Sequence, residues 1–300
     1  MIPPEVQELA DRRAQARAAK DFASSDALRE QLAGLGWGVK DSADGQVLGS
    51  LPPYPVLRAL PEHAGDADTH RCTVALLVEG WPDDVRTCVT ALLAHAPEDV
   101  RIALLENGET DAGAVVHELA AHDRVDELHL ERAAGWAEAR NALLRWDSAA
   151  VHVLMDVSTV LEGDGIGPLL AAVEEFDAAG WRGVHVEDGW TSFADSPPGE
   201  VEALLGYLIA VRRPVALQVP LPAKARFYRN ADMEWSFLLR EAGFRLVAVH
   251  VPVRQDRHRG YHDSDPAVRD RESKKTYDRF LARFRGREQL RLGPRPSTSG

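Results

Sequence analysis

Asp232 and Glu234 combine residue type and spacing in a way that suggests chemistry. They open a stretch whose apolar spacing predicts a helix, with Arg240 near its end and Gly243 to close it. A carboxylate in that place can take a proton from a substrate hydroxyl. It can also do no more than favour the positive end of the helix dipole, and the sequence leaves both readings open. Further upstream lie Glu79-Gly80-Trp81, Glu106-Asn107-Gly108, Arg140-Asn141 and Asp156-Val157-Ser158. Each has a plain structural reading beside a functional one. Glu106-Asn107-Gly108 is a turn by composition, Arg140 can pair with Glu138 or Glu131 on a surface, and Asp156 can cap a turn. His258 lies within Arg257-His258-Arg259, either solvated or a metal ligand.

These groups are spaced as the ends of alternating strands and helices. Strands are predicted over 73–78, 100–105, 125–130 and 151–155, with helices over 83–95, 112–121 and 137–146. Such alternation predicts an α/β fold, a mainly parallel sheet with helices on both faces. Ligands then sit at the carboxyl ends of the strands, where Glu79, Glu106 and Asp156 fall.

Residues 1–48 read differently. Ala, Arg and Gln from 5 to 20 favour a helix, Ser24-Ser25-Asp26 offers a second start, and Leu28, Leu32 and Leu35 recur at helical spacing. A small helical hairpin follows, then a turn at Asp44-Gly45 between two short extended pieces. Prolines 52, 53, 55 and 61 make 49–70 a linker. The second domain is expected over 71–290, with a disordered tail at 291–300.

The 300 residues carry a net charge of −12. Residues 254–300 hold 13 Lys/Arg against 7 Asp/Glu, so the acidity lies upstream. The overall balance argues against general nucleic-acid binding, tRNA included. Tyr277, Phe280, Leu281 and Phe284 give one apolar helical face bordered by arginines, read as packing on the domain or, alternatively, as peripheral membrane contact over 272–291. No transmembrane run is visible. The start of the chain lacks a basic, apolar leader, and Cys72 and Cys88 form no disulfide framework or zinc spacing. A cytoplasmic location is expected.

The strand-end series resembles family 2 glycosyltransferases of the GT-A fold, over about residues 72–285. Glu106 stands at the first position of that family's Asp-Asn-Gly turn, Arg140-Asn141 matches its Ala-Arg-Asn helix start, and Asp156 matches the first Asp of Asp-x-Asp. Gly206 to Arg213 is similar to the family's acceptor-side segment, and Asp232 to its general base. The resemblance implies a nucleotide-sugar donor bound by Glu79, Glu106, Asn107, Arg140 and Asp156. It implies an acceptor side at Gly206 and Arg240, and catalysis by Asp232 with Glu234 as second choice. It also implies a divalent cation, Mg²⁺ or Mn²⁺, at Asp156 and His258. Ser158 replaces the second Asp and weakens that cage, because such ions want hard oxygen ligands. Either the diphosphate supplies most ligands, or arginines replace the metal, or activity is lost. Residues 1–48 resemble the C-terminal end of bacterial cysteinyl-tRNA synthetase through Lys20-Asp21-Phe22, Asp26-Ala27-Leu28-Arg29 and Leu35-Gly36-Trp37. The expected function is therefore inverting glycosyl transfer to an unidentified acceptor. The alternatives are an inactive nucleotide-sugar-binding relative, or a tRNA- or protein-docking adaptor using residues 1–48.

Overall fold

The computed structural model describes residues 2–42, 45–63, 70–256 and 258–292. Asp44, Arg257, the end of the proline-rich segment and the last eight residues, for which a turn, a charged stretch, a linker and a tail are expected, lie outside the described residues. The chain divides into two compact units, Met1–Pro55 and Val56–Gly300.

In the first unit, α1 (Pro4–Ala18) starts on a proline, which costs nothing where no intrahelical amide bond is due. Asp21 caps α2 (Phe22–Gly34) by accepting the Ser24 amide at 3.1 Å. β1 (Trp37–Ser42) and β2 (Gly45–Ser50) pair antiparallel, Trp37 opposite Ser50. Val6, Ala10, Leu32 and Val39 make a small core. Arg13 is buried beside it, with NH1 and NH2 donating to the two Asp41 carboxylate oxygens at 2.9 and 3.0 Å.

The second unit is built on a nine-stranded sheet. Its parallel half is β3 (His70–Val78), β4 (Val100–Glu106), β5 (Val125–His129) and β6 (Ala149–Met155), in the order β6-β3-β4-β5. The crossovers are α3 (Pro82–His95), α4 (Gly113–Leu119) and α5 (Trp136–Trp146). Val74, Leu76 and Val78 enter one core while Ala75 and Leu77 enter the other. Burial on both faces explains why β3 is a continuous apolar run rather than an alternating one.

Past β6 come the two-residue β7 (Val160–Leu161) and α6 (Ile166–Ala172), then a mixed half that sequence pattern does not disclose. It comprises β8 (Ala178–Val186), β9 (Phe193–Ser196), β10 (Gly199–Glu200) and the long β11 (Ala203–Arg212). β11 runs antiparallel between β8 and β6 and joins the two halves. α7 (Arg213–Gln218), α8 (Ala231–Glu241), β12 (Leu246–Ala248), β13 (Val253–Arg254), α9 (Arg259–His262) and α10 (Pro266–Phe284) complete the unit.

The C-terminal helix settles one alternative. Phe280 and Phe284 are fully buried and pack with Trp190 and Phe237, and Tyr277 and Leu281 pack against the same cluster. The apolar face proposed for a membrane surface is thus consumed inside the fold. Its arginines are also engaged, Arg279 with Glu234 and Arg283 with Glu241. Among the described residues no helix is long and apolar enough to cross a membrane. Within the proline-rich segment, Leu57 bridges Leu130 in parallel, and the His63 amide donates to the Arg145 carbonyl at 2.8 Å. Residues 57–63 therefore run along the second unit.

Candidate active site

The carboxyl ends of β3, β4 and β6 lie level, since Val78 pairs with Glu106 and Leu76 with Met155. Residues that follow β3 and β6 meet in a cleft of about 310 Å³. Glu79, Trp81, Trp136, Arg140, Asp156, Ser158, Tyr228 and His258 line it. Four of the residues named from sequence for donor binding, catalysis or metal, Glu106, Asn107, Asp232 and Glu234, are absent from its wall.

Asp156 and His258 form the centre. His258 Nε2 lies 3.1 Å from Asp156 Oδ2, and its ring stacks on Tyr228 at 3.7 Å, 9° from parallel. The Ser158 amide donates to Asp156 Oδ1 at 2.8 Å. Burial alone would raise the Asp156 pKa, but the His258 contact and the Ser158 bonds outweigh it and hold it at about 2. His258 is mostly buried, not solvated. Among the described residues neither of its ring nitrogens has an aligned hydrogen bond, so its approach to Asp156 is a close contact rather than a directed bond. Ser158 Oγ accepts the Arg259 amide at 3.2 Å, which ties the substituted position to the segment carrying His258.

Arg140 sits beneath this pair, fully enclosed. It pairs with neither Glu138 nor Glu131; its two terminal nitrogens donate to the carbonyls of Ala75 and Met155, both at 2.9 Å. It therefore clasps the ends of β3 and β6 and places a buried cation under Asp156 and Glu79. Burial lowers its pKa, with the charges of Asp156 and Glu79 opposing the shift. Burial raises the Glu79 carboxyl, partly offset by the Asn107 amide at 3.2 Å.

Glu106 does not face the cleft. Its Oε1 accepts the Thr110 amide and hydroxyl at 2.9 and 2.8 Å, and His129 Nδ1 meets Oε2 at 2.6 Å. The carboxylate expected to read a nucleobase is thus spent on holding its own turn. Asn107 also works inward: its amide donates to the Ala134 carbonyl and accepts the Ala134 amide, pinning the loop before α5. Gly108 is needed there, with φ +84° and an added Cβ falling 2.7 Å from the Ala133 nitrogen. Asn141 is structural as well, exchanging two hydrogen bonds with the Leu221 backbone.

On the far side, the two opening carboxylates of α8 divide. Asp232 Oδ2 accepts the Gly206 amide at 3.1 Å and Oδ1 the Met233 amide at 2.9 Å. Its own amide donates to the Tyr207 hydroxyl at 3.0 Å, and that hydroxyl donates to the Tyr228 carbonyl. Burial pushes the Asp232 pKa up to about 6, against the pull of these amides. Glu234, the second choice for catalysis, points elsewhere: Arg279 holds it bidentately at 3.1 and 2.8 Å. The acceptor-side expectation for Arg240 also fails. Arg240 donates to the Leu290 carbonyl at 2.7 Å and secures the C-terminal turn. Gly206 acts through its backbone. It lies where β11 shifts register, at φ +82°, and presents its amide to Asp232.

The residues missed in the sequence are Trp81, Trp136 and Tyr228, the aromatic wall. Trp81 carried a signal in following Gly80, a loop needing unusual backbone, and it adopts φ +59°. Among the described residues no group of three His, Cys, Asp or Glu is placed to hold a metal ion.

The fold that carries this site has known counterparts. The structure aligns with GalNAc-T7 solved with UDP, GalNAc and Mn²⁺ at TM-score 0.58 and 15% identity, covering 71% of this chain and 48% of that one. It aligns with the mannosyltransferase PcManGT of Pyrobaculum calidifontis, solved with GDP-Man and Mn²⁺, at TM-score 0.54 and 16% identity, covering 79% and 69%. The fold is GT-A. The Glycosyl transferase family 2 model matches residues 77–264, and the chain belongs to that family. Residues 1–47 match the Cysteinyl-tRNA ligase anticodon binding domain. They are 49% identical over 47 residues to a cysteine–tRNA ligase of Opitutus terrae, 16% of this chain and 10% of the ligase. The chain thus spans about half of GalNAc-T7 and a tenth of the ligase.

Proposed function

We propose that residues 56–292 form an inverting glycosyltransferase that moves a sugar from a nucleotide-sugar donor to an acceptor hydroxyl, with Asp232 as general base. The observation that carries this is Asp232 itself. It is a buried carboxylate pushed to about 6, with each oxygen accepting one backbone amide and keeping a lone pair free. A base with a pKa near the working pH is the efficient kind. Asp232 takes the acceptor's proton as that oxygen attacks the anomeric carbon. The bond from that carbon to the diphosphate breaks, and the nucleoside diphosphate leaves with the electron pair. One displacement opposite the leaving group inverts the centre.

The donor's diphosphate is assigned to Asp156, His258 and Arg140, with Glu79 and the aromatic wall around the nucleoside and sugar. A divalent cation fits this set. Asp156 Oδ2 and His258 Nε2 are 3.1 Å apart, close to the edge of an octahedron with bonds of about 2.1 Å. Among the described residues His258 also has no competing hydrogen bond. Asp156 and His258 would hold it, and the diphosphate and water would supply further oxygens, which would accommodate Ser158. When bound, the cation neutralises charge on the leaving diphosphate. Arg140 adds fixed positive charge beneath it. The Mn²⁺, UDP and GDP-Man of the related structures agree with this class of donor.

The second reading, a nucleotide-sugar-binding relative without turnover, is favoured by Ser158, whose hydroxyl is taken by the Arg259 amide. A calorimetric and turnover panel of UDP- and GDP-sugars with Mn²⁺ separates the two. Binding with turnover supports the transferase, and binding alone the second reading. No binding to any donor sinks both. Activity should also rise as pH passes about 6, because Asp232 must be ionised to act; a plateau already reached at pH 5 removes Asp232 as the base. Residues 1–48 are proposed as a docking or packing appendage in a cytoplasmic protein. Their own net charge is slightly negative, which weighs against tRNA as the partner.

A further inference from the structure

The loop between α7 and α8 breaks the charge pattern of the molecule. Residues 203–231 carry five Lys/Arg and no Asp or Glu, in a chain of net charge −12. Arg212 ends β11, where it pairs with Val151 at the start of β6, and Arg213 opens α7. Lys224, Arg226 and Arg229 belong to the loop that leads to Asp232. Many surface arginines elsewhere in the second unit sit beside carboxylates, as in Arg86–Glu118, Arg101–Asp126, Arg182–Asp195 and Arg245–Glu200. Lys224 and Arg226 are exposed and, among the described residues, have no carboxylate within 4 Å.

Their backbone is fixed against the site. The Ala137 amide at the start of α5 donates to the Ala225 carbonyl at 3.1 Å, and Trp136 beside it lines the cleft. Tyr228 lines the cleft from the other side and stacks on His258. Arg226 is therefore two residues, at most about 7 Å of chain, from a wall residue. Lys224 adjoins the carbonyl that anchors the loop to α5. Two unneutralised cations on a tethered loop at the mouth of an acidic protein make a local attraction for anions.

We propose that Lys224 and Arg226 recognise an anionic group, a phosphate or a carboxylate, on the acceptor. This rests on the transferase reading and names the substrate class for the Asp232 side of its site. An acceptor held there by its charge presents a neighbouring hydroxyl towards Asp232, while the donor's diphosphate occupies Asp156, His258 and Arg140. Such an anion could belong to a soluble small molecule or to a lipid-linked phosphate, and the chemistry is shared.

The test uses the full chain saturated with UDP and Mn²⁺, so that the diphosphate site is filled, with glycerol 3-phosphate as the probe and glycerol as its neutral control. The expected result is saturable binding of the phosphate probe and none of glycerol. Lys224→Gln/Arg226→Gln should weaken the probe at least tenfold with UDP affinity and Tm unchanged, and Arg226→Lys should keep most of it. No probe binding, or equal binding by the double variant, overturns the proposal. So does a parallel loss of UDP affinity, which would assign the loop to the donor. Sedimentation with phosphatidic acid vesicles distinguishes the sources. Charge-dependent vesicle binding lost in the double variant indicates a lipid-linked acceptor, and probe binding without vesicle binding a soluble one. If wild type binds no UDP, GDP takes its place in the test; if it binds neither, the transferase reading falls separately, and the probe titration on the free protein still judges the loop.

Discussion

Two Asp–His clusters sit at opposite ends of β6, and they are not alike. At its start, Asp147 accepts the Thr73 hydroxyl at 2.7 Å and the Ala149 amide at 3.0 Å on one oxygen, and meets His152 Nδ1 at 2.7 Å on the other. His70 closes the group by contacting the Thr73 hydroxyl at 2.6 Å. His152 borders a small, mainly apolar cavity, and among the described residues its Nε2 has no partner. At the end of the strand, Asp156 and His258 use the same two residue types, but they face a cleft shared with a buried arginine, a second carboxylate and three aromatic rings. An unpaired imidazole nitrogen occurs in both clusters, so it does not by itself mark a site. What separates them is convergence on one open space, and that follows from strand direction, since ligands collect at the carboxyl ends of a parallel sheet.

Asp232→Asn, at the proposed general base, should have the largest effect, a loss of about 10²–10⁴ in transfer rate with donor affinity kept. Single-turnover kinetics read this directly, and a wild-type rate would remove Asp232 from the chemistry. Asp156→Ala should weaken UDP or GDP binding in Mn²⁺ by about 10–100-fold, excess Mn²⁺ recovering part of it. Affinity insensitive both to the substitution and to a chelator would end the cation assignment. Asp147→Ala probes the closed cluster. Losing the acceptor for three buried donors should cost roughly 2–4 kcal/mol of stability, seen as a lower denaturant midpoint. Donor affinity of the folded protein should stay within about twofold. If it falls as in Asp156→Ala while stability holds, the contrast between the clusters is wrong. Glu234→Gln should be the mildest, at about 1 kcal/mol from one partly buried ion pair, with turnover retained. A rate loss as large as that of Asp232→Asn would show that the wrong carboxylate was chosen.

The parallel half of the fold was legible because its signals are local. Each strand is an apolar run of the right length, each helix has its own periodicity, and Glu79, Asn107 and Asp156 fall where those runs stop. The antiparallel half was not, because β8 and β11 are defined by pairing with each other and with β6 across long separations. The same limit explains the site residues. Asp156 and Arg140 follow from position along the chain. That Glu106 is engaged by His129, Glu234 by Arg279 and Arg240 by the Leu290 carbonyl depends on partners 23, 45 and 50 residues away. No pattern within one element records such partners. Tyr228 was in view as part of the acidic-helix segment, but its role depends on a ring 30 positions later.

The bend in β11 also bears on how this scaffold can diversify. At position 206 both the backbone, at φ +82°, and the surroundings exclude a side chain, since a Cβ would fall 2.8 Å from Trp181 Nε1. Yet this residue gives Asp232 its amide. The carboxylate proposed to accept the proton is therefore held by a residue that cannot vary, on the same polypeptide as an exposed loop that can. Libraries aimed at new acceptors would leave 206 alone and randomise 224 and 226, where a change of side chain meets solvent rather than the tryptophan.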